Sequence, residues 1–253
     1  MSRSCPTSPL VSVLLPVYNG VRDVERAVRS IQQQTLGNWE LLIQDDGSTD
    51  GTLELCKALA ASDERISVSA NGRNLGLAPT MNRLVSEARG RYSAIQEQDD
   101  RSTLNRLALE VEVLESDPEV GLVSGIAAWV DDDDQVISHF PGMLSQGKPF
   151  PRDRLEMVRL LYVEQCKVVN AACMFRQSAV ASMSPPFDEV AKMSIDWQFF
   201  VHLAHKWRVH GIPEVLVHMK RGKQHVHMTR NWALRYAEAR RCIRVLYQHY
   251  RRE

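Results

Sequence analysis

Apolar positions follow two alternating rhythms along the first hundred residues. Short runs rich in β-branched residues, VSVLL at 11–15, WELLI at 39–43, RISVSA at 65–70 and RYSAI at 91–95, have the length and composition of strands buried on both faces. Between them, Val21, Val24, Ala27, Val28 and Ile31 fall at helical spacing, as do Leu53, Leu55, Cys56 and Leu59 after the segment DDGSTDGT. Asp50 or Thr49 is placed to cap that second helix, and residues 78–88 carry a third helical pattern. Strand then helix, three times over with short connections, predicts right-handed βαβ units and a parallel sheet.

The pattern changes in the second half. A helix over 103–115 precedes VGLVSGIAAWV, a run of four aspartates at 131–134, and QVISHF. Two apolar runs around a polar turn predict a hairpin added to the sheet. Residues 141–151, rich in Gly and Pro, read as loop; a helix (151–162), a strand (171–176), a helix (195–206), a strand (213–219) and a last helix (231–250) follow. No repeat or linker divides the chain. The expectation is one α/β domain over 1–230, its mostly parallel sheet flanked by helices, followed by an amphipathic helix over 231–253.

Composition narrows the class without naming it. In 253 residues, 31 basic side chains balance 31 acidic ones, so no global field points to nucleic acid. A quarter of the residues are charged and 44% are hydrophobic, ordinary for a soluble globular domain. The five cysteines (Cys5, Cys56, Cys166, Cys173, Cys242) are scattered without a CxxC pair, as free thiols of a reducing compartment would be. No run approaches the ~20 apolar residues of a membrane span. MSRSCPTSPL lacks the apolar core of a signal peptide. A cytoplasmic protein is expected.

Three acidic clusters are candidates for chemistry. Asp131 to Asp134 lies between the hairpin strands, where aspartate is a common turn residue and water takes the charge. Asp45-Asp46 and Glu97-Gln98-Asp99-Asp100 instead follow two strands of the parallel set. That edge, outside the carboxyl ends of the strands, is where open α/β sheets bind ligands. Three carboxylates within four residues repel one another unless a cation or water takes the charge. A hard cation, Mg²⁺ or Mn²⁺, prefers carboxylate oxygens and bridges to substrate phosphates. No GxGxxG follows the first strand and no GxxxxGK[ST] occurs, so phosphate binding by a glycine-rich loop is excluded.

Taken in order, VSVLLPVYNG, SIQQQTLGNWELLIQDDGSTDGT, NGRNLGLAPTMNRLVSEARGRY, the acidic stretch with NRL, NAACMFRQSAV, IDWQFFVHLAHK and GIPEVLVHMKR resemble family 2 glycosyltransferases, the inverting enzymes with the GT-A fold. The resemblance spans about residues 10–222. It implies a nucleotide-sugar donor, a UDP-sugar, held by the half 1–125, and a glycan or lipid-linked acceptor held by 126–230. Tyr18 would stack on the base and Asp46 would hydrogen-bond to it, with Pro16 and Asn19 shaping the pocket. Asp45 and Asn74 complete the donor-binding set with Arg73, which, like Arg83, could approach the diphosphate or ribose. The family's acidic metal motif falls on Glu97-Gln98-Asp99, with Asp99 on the cation and Glu97 on the cation or the ribose. Glu97 stands where the family usually has Asp, which moves the carboxylate outward by ~1.5 Å, and Arg101 follows where an apolar residue is usual. The base that takes the acceptor's proton would be Asp196, at the start of DWQFFVHLAHK; the competing reading is a helix-capping or first-turn acid.

The histidines and the last helix carry weaker signals. His202 and His205 read as a half-exposed helix face, whereas His225, in QHVHM, is a candidate metal ligand or a side chain that closes over the donor. In the last helix Trp232, Tyr236, Ala239, Ile243, Leu246 and Tyr250 form a stripe, with seven arginines against two glutamates from Arg230 onward. Such a helix either packs on the domain or rests peripherally on anionic lipid. Two rivals stand beside the transferase: a sugar nucleotidyltransferase, which needs a glycine-rich basic loop where PVYNG stands, and a nucleotide-sugar-binding protein without turnover.

Overall fold

The computed structural model describes residues 8–164, 168–191, 194–221 and 232–250. Its first half alternates strand and helix: β1 (Val11–Val17), α1 (Val24–Gln32), β2 (Trp39–Asp45), α2 (Thr52–Ala61), β3 (Ile66–Ala70), α3 (Leu77–Glu87) and β4 (Tyr92–Ile95). β1 pairs in parallel with β2 and β4, and β2 with β3. Alternation along β1 explains its unbroken apolar run. Leu14 faces one layer with Leu84 and Met81 of α3. Val13 and Leu15 face the other with Val24, Val28 and Ile31 of α1 and Cys56 of α2. Each side chain fully withdrawn from water here contributes about 1.5–3 kcal/mol.

The second half breaks the regular alternation. After β5 (Arg101–Ser102) and α4 (Arg106–Ser116), β6 (Val120–Val130) turns back into β7 (Val136–Phe140), the expected hairpin. Then come α5 (Gly142–Ser145), inside the segment expected as loop, α6 (Arg154–Glu164), a 3₁₀ turn at Asn170–Ala172, β8 (Cys173–Arg176), α7 (Gln177–Val180), α8 (Ile195–Lys206), β9 (Arg208–Lys220) and α9 (Trp232–Tyr250). The sheet order is β3-β2-β1-β4-β8-β6-β9-β5, with β7 on β6. β8 runs antiparallel to both β4 and β6, whereas β6 and β9 are parallel. The sheet is therefore mixed, with its antiparallel pairs confined to pairings that involve the second half. The two-residue β5 left no periodic signal in the sequence. It exists because Arg101 and Ser102 find His218 and Val217 of β9 as partners.

α9 sits on this domain. Cys242 and Leu246 are fully buried in the same core as α6 and α8. Tyr250 stacks on His205 with ring centroids 3.5 Å apart and meets His202 Nδ1 at 2.7 Å. Arg241 donates to Asp188. Ile243, part of the expected stripe, is instead 42% exposed, as is Tyr247 at 67%. No helix among the described residues is long and apolar enough to cross a membrane.

Candidate active site

The carboxyl ends of β1, β2 and β4 lie side by side and bring three loops together. From β2 come Asp45 and Asp46, both buried. Asp46 Oδ1 accepts from Asn71 Nδ2 and from the Leu75 N–H, each at 2.8 Å, and Oδ2 accepts the Gly76 N–H at 2.9 Å. Its carboxylate thus closes the loop that carries Arg73 and Asn74. That loop passes so near β2 that a Cβ on Gly47, where φ is +77°, would lie 2.6 Å from the Arg73 carbonyl carbon. Asp45 Oδ2 accepts the N–H groups of Gly47 and Ser48, each at 3.0 Å, while Oδ1 is buried without a hydrogen-bond partner.

From β1 come Pro16, Tyr18 and Asn19. Asn19 has a positive φ of 47°, held by its N–H to Ser48 Oγ and by its Oδ1 accepting the Thr49 N–H, both at 2.9 Å. The Tyr18 ring is left outward, the residue 44% exposed. Its backbone is bracketed by Gln98: the Tyr18 N–H donates to Oε1 at 2.9 Å, and Nε2 donates back to the Tyr18 carbonyl at 3.2 Å. The residue between the two motif acids thus joins the acidic turn to the tyrosine loop. An open cleft of ≈ 450 Å³ lies between them, lined by Asn19–Asp23, Asp50, Gln98 and Asp99.

From β4 comes the acidic turn. Carboxylate oxygens of Glu97, Asp99 and Asp100 all lie within 4.8 Å of one another. Burial and the charge of Asp99 push the Glu97 carboxyl up to about 7, despite an amide hydrogen bond of 2.8 Å from Asn170. Burial and the charges of Glu97 and Asp99 raise Asp100 well above the usual carboxylate range. Asp100 Oδ2 is buried with no hydrogen-bond partner. Three crowded carboxyls, one with an orphaned oxygen, are chemically suited to a hard divalent cation. Asp100 was not singled out as a ligand from sequence, because the motif by which the stretch was read ends at Asp99.

Asp196 arrives from the second half, in the first turn of α8. The N-cap is Ser194, in the left-handed region at φ 58°, so Asp196 is not the cap. Burial raises its carboxyl, and hydrogen bonds from its own N–H and that of Trp197 only partly oppose this. Its charge adds to the upward pressure on Glu97.

The remaining candidates fall elsewhere. Arg73 and Asn74 are exposed. Arg83 donates to Asn71 Oδ1. His225 lies outside the described residues. Arg22, which belongs to no motif in the sequence, lines the cleft with Asp99. The hairpin turn behaves as a solvated turn: Asp131 Oδ1 accepts the N–H groups of Asp133 and Gln135, and exposed Asp134 lies 3.8 Å from Arg26 and 3.7 Å from Arg101.

Known proteins are similar to this chain in sequence and in fold. A Bacillus subtilis (strain 168) protein named for glycosyltransferase activity, EpsE, is 37% identical over 152 residues, 57% of this chain and 54% of that protein. The Escherichia coli UDP-Glc:alpha-D-GlcNAc-diphosphoundecaprenol beta-1,3-glucosyltransferase WfgD is 35% identical over 105 residues, 42% of this chain and 41% of that protein. The chain thus spans about half or less of these relatives. Among solved structures, Staphylococcus aureus TarS 1–349 in complex with UDP-GlcNAc superposes with a TM-score of 0.71 at 17% identity, covering 87% of this chain and 60% of that one. The mannosyltransferase PcManGT of Pyrobaculum calidifontis, in complex with GDP-Man and Mn²⁺, gives 0.67 at 20% identity, covering 93% and 65%. These likenesses establish the GT-A fold. The model of Glycosyl transferase family 2 matches residues 12–181, and the chain belongs to that family.

Proposed function

We propose that this protein transfers a sugar, with inversion, from a nucleotide-sugar donor to a hydroxyl of a glycan or lipid-linked acceptor. The observation that carries this reading is the joining of the tyrosine loop to the acidic turn through Gln98, with Asp196 near enough to act on Glu97 electrostatically. Tyr18 offers its outward ring to the base. Asp46 is the candidate to accept a base N–H through Oδ2, which holds a single loop N–H, since the unpartnered Asp45 oxygen is fully buried. Glu97, Asp99 and Asp100 would hold the divalent cation, Mn²⁺ or Mg²⁺. When bound, such a cation offsets the negative charge of a diphosphate leaving group.

Asp196 takes the acceptor's proton as its oxygen attacks the anomeric carbon. Burial raises this carboxyl, which strengthens it as a base. Asp196→Asn preserves shape and removes the proton acceptor. Transfer should fall by ~10²-fold or more with donor affinity near wild type. The assay incubates the protein with UDP- and GDP-sugars, with and without Mn²⁺, and assigns the product anomer by NMR. A UDP-sugar is expected, following the donors named for WfgD and TarS. Donor binding without any transfer or hydrolysis across the panel would favour the binding-protein reading.

A second reading concerns α9. Its outward face carries Arg240, Ile243, Arg244 and Tyr247, an apolar pair among cations that suits an anionic membrane bearing a lipid-linked acceptor. Arg240→Gln with Arg244→Gln leaves the packed residues Cys242 and Leu246 untouched. The pair should weaken sedimentation with anionic vesicles by roughly 1 kcal/mol per charge. Unchanged sedimentation would end the membrane reading.

A further inference from the structure

Behind the acidic turn lies a cation that the proposed chemistry does not touch. Arg106, in the first turn of α4, is completely buried. Its guanidinium is spent in full. Nη2 donates to the carbonyls of Ile95 at 2.7 Å and Cys173 at 3.2 Å. Nη1 donates to Gln96 Oε1 at 3.1 Å and Ser102 Oγ at 3.0 Å. Nε faces Glu110, itself fully buried, at 3.4 Å. A guanidinium has five N–H donors in a fixed fork, and this one is aimed at five acceptors.

Gln96 passes the constraint forward. It too is completely buried. Its Oε1 accepts from Arg106 and, at 2.7 Å, from Ser102 Oγ, while its Nε2 donates to the carbonyls of Glu97 and Asp100, each at 2.9 Å. Those two carbonyls bracket the acidic turn. The bond to Cys173 fixes the start of β8, directly after the 3₁₀ turn whose Asn170 holds Glu97. Repulsion among Glu97, Asp99 and Asp100 would otherwise open the turn.

We infer that Arg106 and Gln96 are positioning residues: through a buried guanidinium–amide relay they hold the three carboxyls of the acidic turn in the spacing that receives a divalent cation. This rests on the metal-binding reading of that turn. The buried Arg106–Glu110 pair is by itself weak evidence of stabilisation, since such pairs are often replaceable by apolar residues. What Arg106 does beside the turn lies in the four hydrogen bonds that it makes away from Glu110. Outer partners that orient metal ligands typically change metal affinity by ~10–100-fold when removed.

The test is Mn²⁺ binding to the full chain, read from the free-Mn²⁺ signal in electron paramagnetic resonance. Arg106→Met with Glu110→Met removes the relay's cation and leaves no lone buried charge. It should weaken Mn²⁺ binding ~10–100-fold while metal-free nucleoside diphosphate binding stays near wild type. Glu110→Gln, which leaves the fork on the turn, should bind Mn²⁺ as wild type does. Arg106→Lys restores the charge but not the fork, and should fall between wild type and the double variant. Should the double variant fail to fold by circular dichroism, Gln96→Met tests the same relay at its second link and should show the same loss. Equal Mn²⁺ affinity in wild type and a folded relay variant would overturn the positioning role alone. A wild type that binds no Mn²⁺ would overturn both that role and the metal reading beneath it.

Discussion

Asp45-Asp46 and Glu97 to Asp100 look alike in sequence, as acidic groups that follow neighbouring strands of a parallel set. In space they differ. Asp46 receives three N–H donors and Asp45 two on a single oxygen, so most of the first pair's charge is spent on closing loops, although Asp45 Oδ1 stays buried without a partner. The second cluster is crowded within 4.8 Å, and Asp100 has a buried oxygen that accepts nothing. Its nearby cation, Arg106, sits behind the turn with its donors directed to carbonyls, Gln96, Ser102 and Glu110. Backbone donors turn a carboxylate into scaffold. A deficit of donors leaves it ready for a ligand.

The contrast breaks most sharply at Asp99. Asp99→Asn should weaken Mn²⁺ binding by more than the ~100-fold that an outer partner costs, with little change in melting temperature. Calorimetry finding equal Mn²⁺ affinity in both proteins would remove Asp99 from the ligand set.

Asp46→Asn should do the reverse. An amide presents one acceptor oxygen and an NH₂ that only donates, so the N–H groups of Leu75 and Gly76 and the Asn71 amide cannot all be satisfied. One charged hydrogen bond lost costs about 2 kcal/mol, or roughly 5 °C in a chain of this size, with Mn²⁺ affinity kept. A thermal melt superimposable on wild type would show that Asp46 is not scaffold.

The last difference is the response to pH. Glu97, lifted from 4.5 to about 7, holds a proton in the folded chain that the unfolded chain releases. The stability this contributes is fully present below the unfolded value and is lost as pH rises through about 7. In chelator the melting temperature of wild type should fall across that window, and Glu97→Gln should flatten the fall. Glu110, also lifted to about 7 by burial, keeps its share in both proteins. Identical slopes in the two proteins would show that Glu97 is well solvated.

Much of this was legible in the chain itself. Short buried strands and amphipathic helices announce themselves by period, and the βαβ half follows from them because right-handed crossovers leave few topologies. The motif acids were legible because charge at strand ends needs a reason. Gln98 was not, since a glutamine between two acids carries no pattern. Its role depends on Tyr18, eighty residues earlier, presenting a backbone edge. Arg106 was legible only as part of NRL. That its fork meets Ile95 and Cys173 depends on β4 and β8 becoming antiparallel neighbours.

The strand–helix alternation, the sheet edge that carries the acidic clusters and the residue types found there could be read from the chain, because periodicity and charge are local properties. Which carboxylates N–H groups neutralise, and which they do not, depends on contacts made after folding. Folding also added Asp100 to the cluster, put Asp196 inside α8 rather than on its cap, and turned Ile243 outward while Cys242 went in. Each of these depends on desolvation and on donors supplied by distant segments, and neither exists until the chain has closed around them.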